Sequence, residues 1–354
     1  MKVLFLTVRA DLGGGPEHLY QLLKHRPEGI GAYVACPDDK PYHDRYRALL
    51  GDDRIVPLPH RAFSLGALAA IARFIRREGI DVLHSHGKGA GLYARVLGLL
   101  TGRPVVHTFH GLHTGEYSPL KKTLYLRLEQ ILGWGTQKAI CVSEGEARLI
   151  REAGVIRGAK LAMIPNGIEI PETVTRPQWD GGALRMLAVS RYDHQKNPDL
   201  LIDIAKTLSG RLRFHLDVIG TGERLPQIQQ RLNDEGLAQH VTLHGGVANP
   251  RDYFRRTHVF VSTSRWEGMP LAVLEAMSEG LCVLATDVVG NADVVREGDT
   301  GRLFRTADEA VGILHRLTAA ECANLSAAAR REAEQTYSAD VMAAKTYQVY
   351  GVGG

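Results

Sequence analysis

The chain has 354 residues, 44% of them apolar and 23% charged, with 43 Lys and Arg against 39 Asp and Glu. That length exceeds one small core and predicts two domains, and the composition excludes a disordered or fibrous chain. Cys36, Cys141, Cys282 and Cys322 stand far apart with no CxxC pair, which excludes a disulfide framework and a cysteine zinc site.

The first residues, MKVLFLTVRADLGG, form an apolar run broken by Arg9 and Asp11 without a small-residue cleavage site, so a cytoplasmic location is expected. No stretch reaches the ~18 apolar residues that cross a bilayer, so any membrane contact would be peripheral, at the inner face of the cytoplasmic membrane. Short β-rich runs at 3–8, 32–35, 81–84, 104–108, 139–142 and 161–164 alternate with helical patterns, and the alternation resumes at 185–189, 214–219, 241–243, 259–261 and 282–285. Such alternation predicts an α/β protein with two doubly wound parallel sheets. Between them, residues 170–182 (IPETVTRPQWDGG) lose any apolar period and read as a linker. Ligands of open parallel sheets sit beyond the carboxyl ends of the strands, so two facing sheets would leave an interdomain cleft.

Charge is uneven. Residues 1–170 carry 23 Lys and Arg against 16 Asp and Glu, and the remainder 20 against 23. A basic first half suits an anionic lipid surface or a pyrophosphate-linked acceptor, and equally a merely solvated surface. No nucleic-acid partner is expected.

Several phrases carry chemistry. Gly13, Gly14 and Gly15 follow the first strand and precede a helix, where backbone amides can meet an anion or simply make a tight turn. The phrase is neither G-x-G-x-x-G nor a P-loop. Histidines cluster at two strand ends, His84-Ser85-His86 and His107-Thr108-Phe109-His110-Gly111-Leu112-His113. No carboxylate stands at a ligand spacing, so no metal is expected; a neutral imidazole bonding a ligand hydroxyl fits better, His110 above all. Residues 120–132, LKKTLYLRLEQIL, mix Lys121, Lys122 and Arg127 with a broad apolar face, as a membrane-surface helix or an amphipathic core helix would.

In the second half, Arg191 and Lys196 lie at a strand end, a planar fork and a point charge suited to one diphosphate. The phrase 264–277, SRWEGMPLAVLEAM, sets Glu267 in a turn and Glu275 in the following helix, each able to accept two hydroxyl hydrogen bonds.

Together these phrases resemble the retaining glycosyltransferases of family 4, which have the GT-B fold of two facing Rossmann-like domains. CVSE at 141–144, IPNGI at 164–168, VIGTGE at 218–223 and the E-x7-E phrase EGMPLAVLE match as well. The resemblance implies an acceptor-side domain over 1–170, a nucleotide-sugar domain over 171–337, and a final helix at about 338–354 returning to the first domain. It implies that Arg191 and Lys196 hold the donor diphosphate and that Glu275 binds the ribose. Glu267, with the amides of Gly268, Met269 and Leu271, would hold the transferred sugar; Pro270 has no N–H to offer. Gly14 and Gly15 would meet phosphates, His110 the sugar, and Gly220, Gly222 and Val247 the base. The reaction implied is metal-independent, without a cofactor: a hexose or N-acetylhexosamine passes from a nucleotide-diphosphate sugar, UDP-sugar being the commonest, to a glycan or polyprenyl-linked acceptor in bacterial surface polysaccharide synthesis. The rivals are a sugar-nucleotide epimerase on the same fold, a Rossmann dehydrogenase and a non-enzymatic sugar-binding protein.

Overall fold

The computed structural model describes residues 1–112, 118–156, 158–174, 178–247 and 249–351. Contacts divide it into two compact units, Met1–Gly167 with Ala339–Gly354, and Ile168–Ser338.

The first unit holds seven parallel strands: β1 (Lys2–Thr7), β2 (Gly31–Cys36), β3 (Ile55–Pro57), β4 (Val82–His86), β5 (Val105–Thr108), β6 (Lys138–Cys141) and β7 (Leu161–Met163). Their order is β3-β2-β1-β4-β5-β6-β7. β1 is buried on both faces, as continuous apolar runs in parallel sheets are. Side chains alternate along it: Val3 and Phe5 join one core with Leu19, Leu22 and Tyr46, whereas Leu4 and Leu6 join the opposite core with Ile71, Ile75 and Tyr93. The first core packs α1 (Gly14–Lys24) and α2 (Tyr42–Leu50); the second packs α3 (Leu65–Glu78) and α4 (Lys88–Thr101). α5 (Pro119–Trp134) and α6 (Glu144–Glu152) complete the contiguous part of the unit.

The second unit has six parallel strands, β8 (Leu184–Val189), β9 (Phe214–Ile219), β10 (Val241–Gly245), β11 (Val259–Ser262), β12 (Cys282–Thr286) and β13 (Arg302–Phe304), in the order β10-β9-β8-β11-β12-β13. The same alternation sends Met186 and Ala188 to one core and Leu187 to the other. α7 (Pro198–Leu208), α8 (Leu225–Asp234) and α12 (Ala307–Arg316) cover one face. α9 (Arg251–Phe254), α10 (Leu271–Ser278), α11 (Asn291–Val294) and α13 (Ala319–Thr336) contribute to the other.

Each strand run expected from sequence falls on a strand, and β3 and β13 are additional. Both are three-residue edge strands, too short to display a period and recognisable only through pairing with β2 and β12. Part of the stretch read as a linker packs into the second unit. Ile170 packs partly buried against one core of that unit, and Trp179 sits in the other with its Nε1 on Gly182 O at 3.0 Å.

The last helix, α14 (Ala339–Val349), packs on α1 and supplies Met342, Ala343 and Tyr347 to the first unit's core. Tyr347 is fully buried and its hydroxyl donates to Leu22 O at 2.9 Å. Asp340 meets His25 Nδ1 at 2.6 Å. Truncating Tyr347 removes a buried ring and leaves a carbonyl without its donor. Tyr347→Ala is therefore expected to destabilise the first unit by ~3–5 kcal/mol in urea unfolding; an unchanged midpoint would show that α14 contributes nothing to this core.

Candidate functional site

In the second unit the strand order reverses between β8 and β11, the place where doubly wound sheets leave a crevice at their carboxyl edge. The loop after β8 carries Arg191 and Lys196, and the loop after β11 carries Glu267. Lys196 Nζ lies 2.5 Å from Glu267 Oε1, and Ser264 Oγ donates to the same oxygen at 2.6 Å. Glu267 is only 7% exposed, so its charge needs these partners. An ammonium has three donors, and this contact uses one.

The two loops are stitched together through their backbones. Gln195 Nε2 donates to Trp266 O at 3.1 Å, Arg265 N–H to Gln195 O at 2.8 Å, and Thr263 Oγ1 to Lys196 O at 3.0 Å. Arg265 also reaches His194 O and Asn197 Oδ1. Arg191 is set apart from Lys196. Its side chain is half-exposed, its Nη2 lying 3.0 Å from Asp193 Oδ2 and 3.1 Å from Gln195 Oε1. The loop thus holds one cation on a buried carboxylate and the other on a partly exposed one.

Glycines permit this crowding. A Cβ on Gly220 would lie 1.7 Å from Ser190 O, and one on Gly222 would lie 2.6 Å from both Tyr192 N and Tyr192 O. Both residues hence have a steric role against the 190–192 loop in addition to any contact with a base. Gly290, at φ 90°, lies so close that a Cβ would stand 2.6 Å from Glu267 Cβ and Glu267 O, while Glu267 N–H donates to Val289 O at 3.1 Å. Sequence reading missed Gly290 and Ser264. Ser264 stood inside the phrase that flagged Glu267, but nothing local announces that residue 290 returns to it.

Pro270 caps α10 and its carbonyl accepts the N–H groups of Val273 (3.0 Å) and Leu274 (3.1 Å), which leaves those of Leu271 and Ala272 without an acceptor inside the helix. Gly268 and Met269 precede it in the loop, Leu271 begins it, and Glu275 is half-buried on its second turn. Val247, Met269 and Leu271 pack partly buried against the core under this end of the sheet.

In the first unit the order reverses between β1 and β4. Arg9 organises the loop after β1, donating to both Asp11 carboxylate oxygens and to Leu12 O. Gly13 caps α1, Gly14 and Gly15 open it, and a Cβ on Gly15 would rest 3.8 Å from His110 Cδ2. His84 and His86 point the same way from β4, and His110 follows β5 by two residues. His86 and His110 stack, with Nδ1 and Nε2 3.3 Å apart, so the two loops do meet. His18 of α1 joins them edge-on to His110 and lies 2.8 Å from Asn166 Oδ1 through Nδ1. Sequence reading missed His18, which lies outside both clusters; Asn166 was visible only as part of IPNGI. His84 is tied to Tyr350 and Thr108, and His107 to Ser85. His113 lies outside the described residues. Glu146 accepts the N–H groups of Gly111 (2.6 Å) and Val142 (2.9 Å), anchoring the backbone just past His110.

Burial holds these imidazoles neutral. Desolvation pushes His18 down to about 4 and carries His84, His86, His107 and His110 well below the ordinary histidine range, with mutual repulsion adding to it. Below pH 6.5 the unfolded chain binds more protons than the folded one. The stabilisation from neutral burial is whole above pH 6.5 and is lost as the pH falls through the lowered values, at up to ~1.4 kcal/mol per histidine per pH unit. A marked fall in melting temperature between pH 7.5 and 5.5 is expected, and a flat profile would mean that these rings are not buried neutral.

α5 differs from the other helices. Only Glu129 and Gly133 are buried, whereas Leu120 (80%), Leu124, Leu128, Ile131 and Trp134 (78%) form an exposed stripe at helical spacing. Arg127 lies within that stripe. Glu129 meets Arg95 of α4 at 3.3 Å, both of them buried. Among the described residues no helix is long and apolar enough to cross a membrane.

Two Rossmann-like parallel-sheet units, each with loop residues gathered where its strand order reverses, define the class: a GT-B protein. Residues 12–171 match the family model described as Glycosyltransferase Family 4, and residues 170–335 that described as Glycosyl transferases group 1. The chain belongs to the group 1, family 4 glycosyltransferases and is a glycosyltransferase enzyme. It is similar to the UDP-Gal:alpha-D-GlcNAc-diphosphoundecaprenol alpha-1,3-galactosyltransferase of Escherichia coli, 28% identical over 261 residues that span 68% of this chain and 67% of the relative. It is also similar to the O-antigen biosynthesis glycosyltransferase WbnH of Escherichia coli, 24% identical over 310 residues, 87% of each chain. Among solved structures, HepE of Anabaena in complex with UDP-glucose superposes with a TM-score of 0.86 at 19% identity, covering 99% of both chains, a likeness of fold.

Gly290 and Glu267 give this site a direct test. Gly290→Ala should destabilise the second unit by ~1–3 kcal/mol, because the added methyl meets backbone in a left-handed conformation. Wild-type stability in thermal unfolding would show that the two loops are not in the contact described.

Proposed function

We propose that this enzyme transfers a hexose or N-acetylhexosamine, with retention at the anomeric carbon and without a metal, from a UDP-sugar to a glycan or polyprenyl-linked acceptor of a bacterial surface polysaccharide. The observation that carries the reading is the Lys196–Glu267–Ser264 constellation at the β8/β11 reversal, beside the amino end of α10. Similar proteins add support: the Escherichia coli galactosyltransferase uses UDP-Gal and a diphosphoundecaprenol-linked acceptor, and HepE of Anabaena forms a complex with UDP-glucose.

Cleavage of the bond from sugar to phosphate builds negative charge on the diphosphate and oxocarbenium character on the sugar. Lys196 has donors left over for the leaving phosphate, and Glu267 holds its ammonium in place before any donor arrives, so little reorganisation accompanies charge development. Arg191 adds a second cation. Leu271 and its neighbours at the helix terminus, with Gly268 and Met269, supply backbone N–H groups for the sugar, and Glu275 accepts the ribose hydroxyls. Gly220, Gly222 and Val247 border the base. In the first unit Gly14 and Gly15 offer amides to an anion, and His110 offers a neutral imidazole to a sugar hydroxyl, adding no positive charge where oxocarbenium character grows. The acceptor proton passes to the donor phosphate, so no protein nucleophile is required.

Lys196→Ala and Arg191→Ala should each lower transfer by at least ~100-fold, since loss of one leaving-group donor commonly costs ~3 kcal/mol. Glu275→Ala should chiefly weaken UDP binding in calorimetry. Assays with a panel of nucleotide sugars, with and without acceptor, decide the matter: full turnover in the Lys196 variant would remove the diphosphate role, and isomerised donor without acceptor would remove the transferase reading.

The α5 stripe supports a membrane contact on the acceptor side. Leucines and a terminal tryptophan suit the headgroup boundary, and Arg127 on the same face with Lys122 on the helix favours anionic lipid. Cosedimentation with phosphatidylglycerol vesicles should fall sharply in a Leu124→Glu/Ile131→Glu variant and weaken with salt. Binding indifferent to both would exclude α5 as the contact.

A further inference from the structure

We propose that His18, His86 and His110 form a binding site for a divalent transition ion of the zinc type, and that its occupancy inhibits transfer. One ring nitrogen from each of the three lies within 4.8 Å of the others, with His86 Nδ1 and His110 Nε2 3.3 Å apart. Two nitrogens bound to one ion at 2.0–2.1 Å in tetrahedral geometry are separated by about 3.3 Å, so that pair already has the required spacing and the third ring has a short distance to close.

The remaining chemistry points the same way. Asn166 Oδ1 faces His18 Nδ1 at 2.8 Å, which puts the ring proton there and leaves Nε2 with a lone pair. His18 Nε2, the nitrogen left to ligate, has no hydrogen-bond partner although it is buried, an arrangement that costs free energy unless something binds. The Asn166 contact has the form of the outer-shell bond that orients a ligating histidine. Three elements converge for a topological reason: α1 follows β1, His86 ends β4 and His110 follows β5, and these three strands are neighbours in the sheet. His86 stacks on His110, and His110 is only partly buried, so an incoming ion has access and a fourth, exchangeable position remains for water. All four cysteines are buried, and burial pushes the Cys36 and Cys141 thiols up to about 12, so these two do not compete as thiolates.

Binding at this site does not depend on the proposed function; inhibition does, because it follows from withdrawing His110 from the sugar. The test is titration of the full chain with Co2+ at pH 7.5, read by visible absorption, and with Zn2+ by calorimetry. One site per chain with tetrahedral nitrogen-type bands is expected, displaced by Zn2+. His18→Gln and His110→Gln should each weaken it by at least ~100-fold and Asn166→Ala by ~10-fold, the scale of outer-shell losses. UDP affinity serves as the folding control, since it reports the other unit, and circular dichroism reports the whole. His110→Gln is the variant of a partly exposed ring and keeps the test open should His18→Gln not fold. No Co2+ spectrum, or affinity unchanged in the folded variants, overturns the site. Wild-type transfer should fall on adding one equivalent of Zn2+ and recover with a chelator. A cobalt spectrum lost in the variants together with undiminished transfer would uphold the site and overturn the role of His110 in the reaction.

Discussion

A parallel strand covered by helices on both faces can offer functional groups to a ligand only where it stops. Both units obey this constraint, with β1, β4, β8 and β11 lying in the middle of their sheets and buried along most of their length. The chemistry therefore collects in loops at the carboxyl edge, and the reversal of strand order separates neighbouring helices enough to leave room there. Lys196 and Glu267 stand on either side of one such reversal, and the Gly13–Gly15 turn and His86 on either side of the other.

The price of gathering charge at a sheet edge is met by pairing. Glu267 is almost wholly shielded, and an isolated carboxylate there would be costly; Lys196 and Ser264 share one of its oxygens. The same pair presets the ammonium, so the contact that stabilises the loops also prepares the group that a leaving phosphate would use. Close backbone approach at Gly220, Gly222 and Gly290 makes the arrangement compact, and any side chain at those positions would force the loops apart.

The first unit uses a different device. Four neutral histidines, His18, His84, His86 and His110, with their partners Thr108, Asn166 and Tyr350 occupy a region that aliphatic side chains would ordinarily fill, and His107 with Ser85 lies on the other face of the sheet. Polar hydrogen bonding there holds His110 without charging it, and α14 takes part by bringing Tyr350 to His84. α5 is joined to the unit by a buried Arg95–Glu129 ion pair and by Tyr125 and Leu126 packed on its core, while its leucine stripe is turned outward.

Much of this was legible in the residues themselves. Runs such as VLFLT and DVLH specify strands buried on both faces, because apolar continuity over five or so residues suits little else between helical patterns, and the phrases around Arg191, Glu267 and His110 carried enough local character to single out the loops. The family followed from those phrases taken together. Tertiary structure alone decided which distant groups meet: His18 with His86 and His110, Gly290 with Glu267, Tyr347 with Leu22, and the pairing that turns Ile55–Pro57 and Arg302–Phe304 into edge strands. The physical reason is range. Periodicity and turn chemistry are properties of a few consecutive residues, whereas a buried ring or a glycine's missing methyl takes its meaning from a neighbour that only the packed sheet brings near.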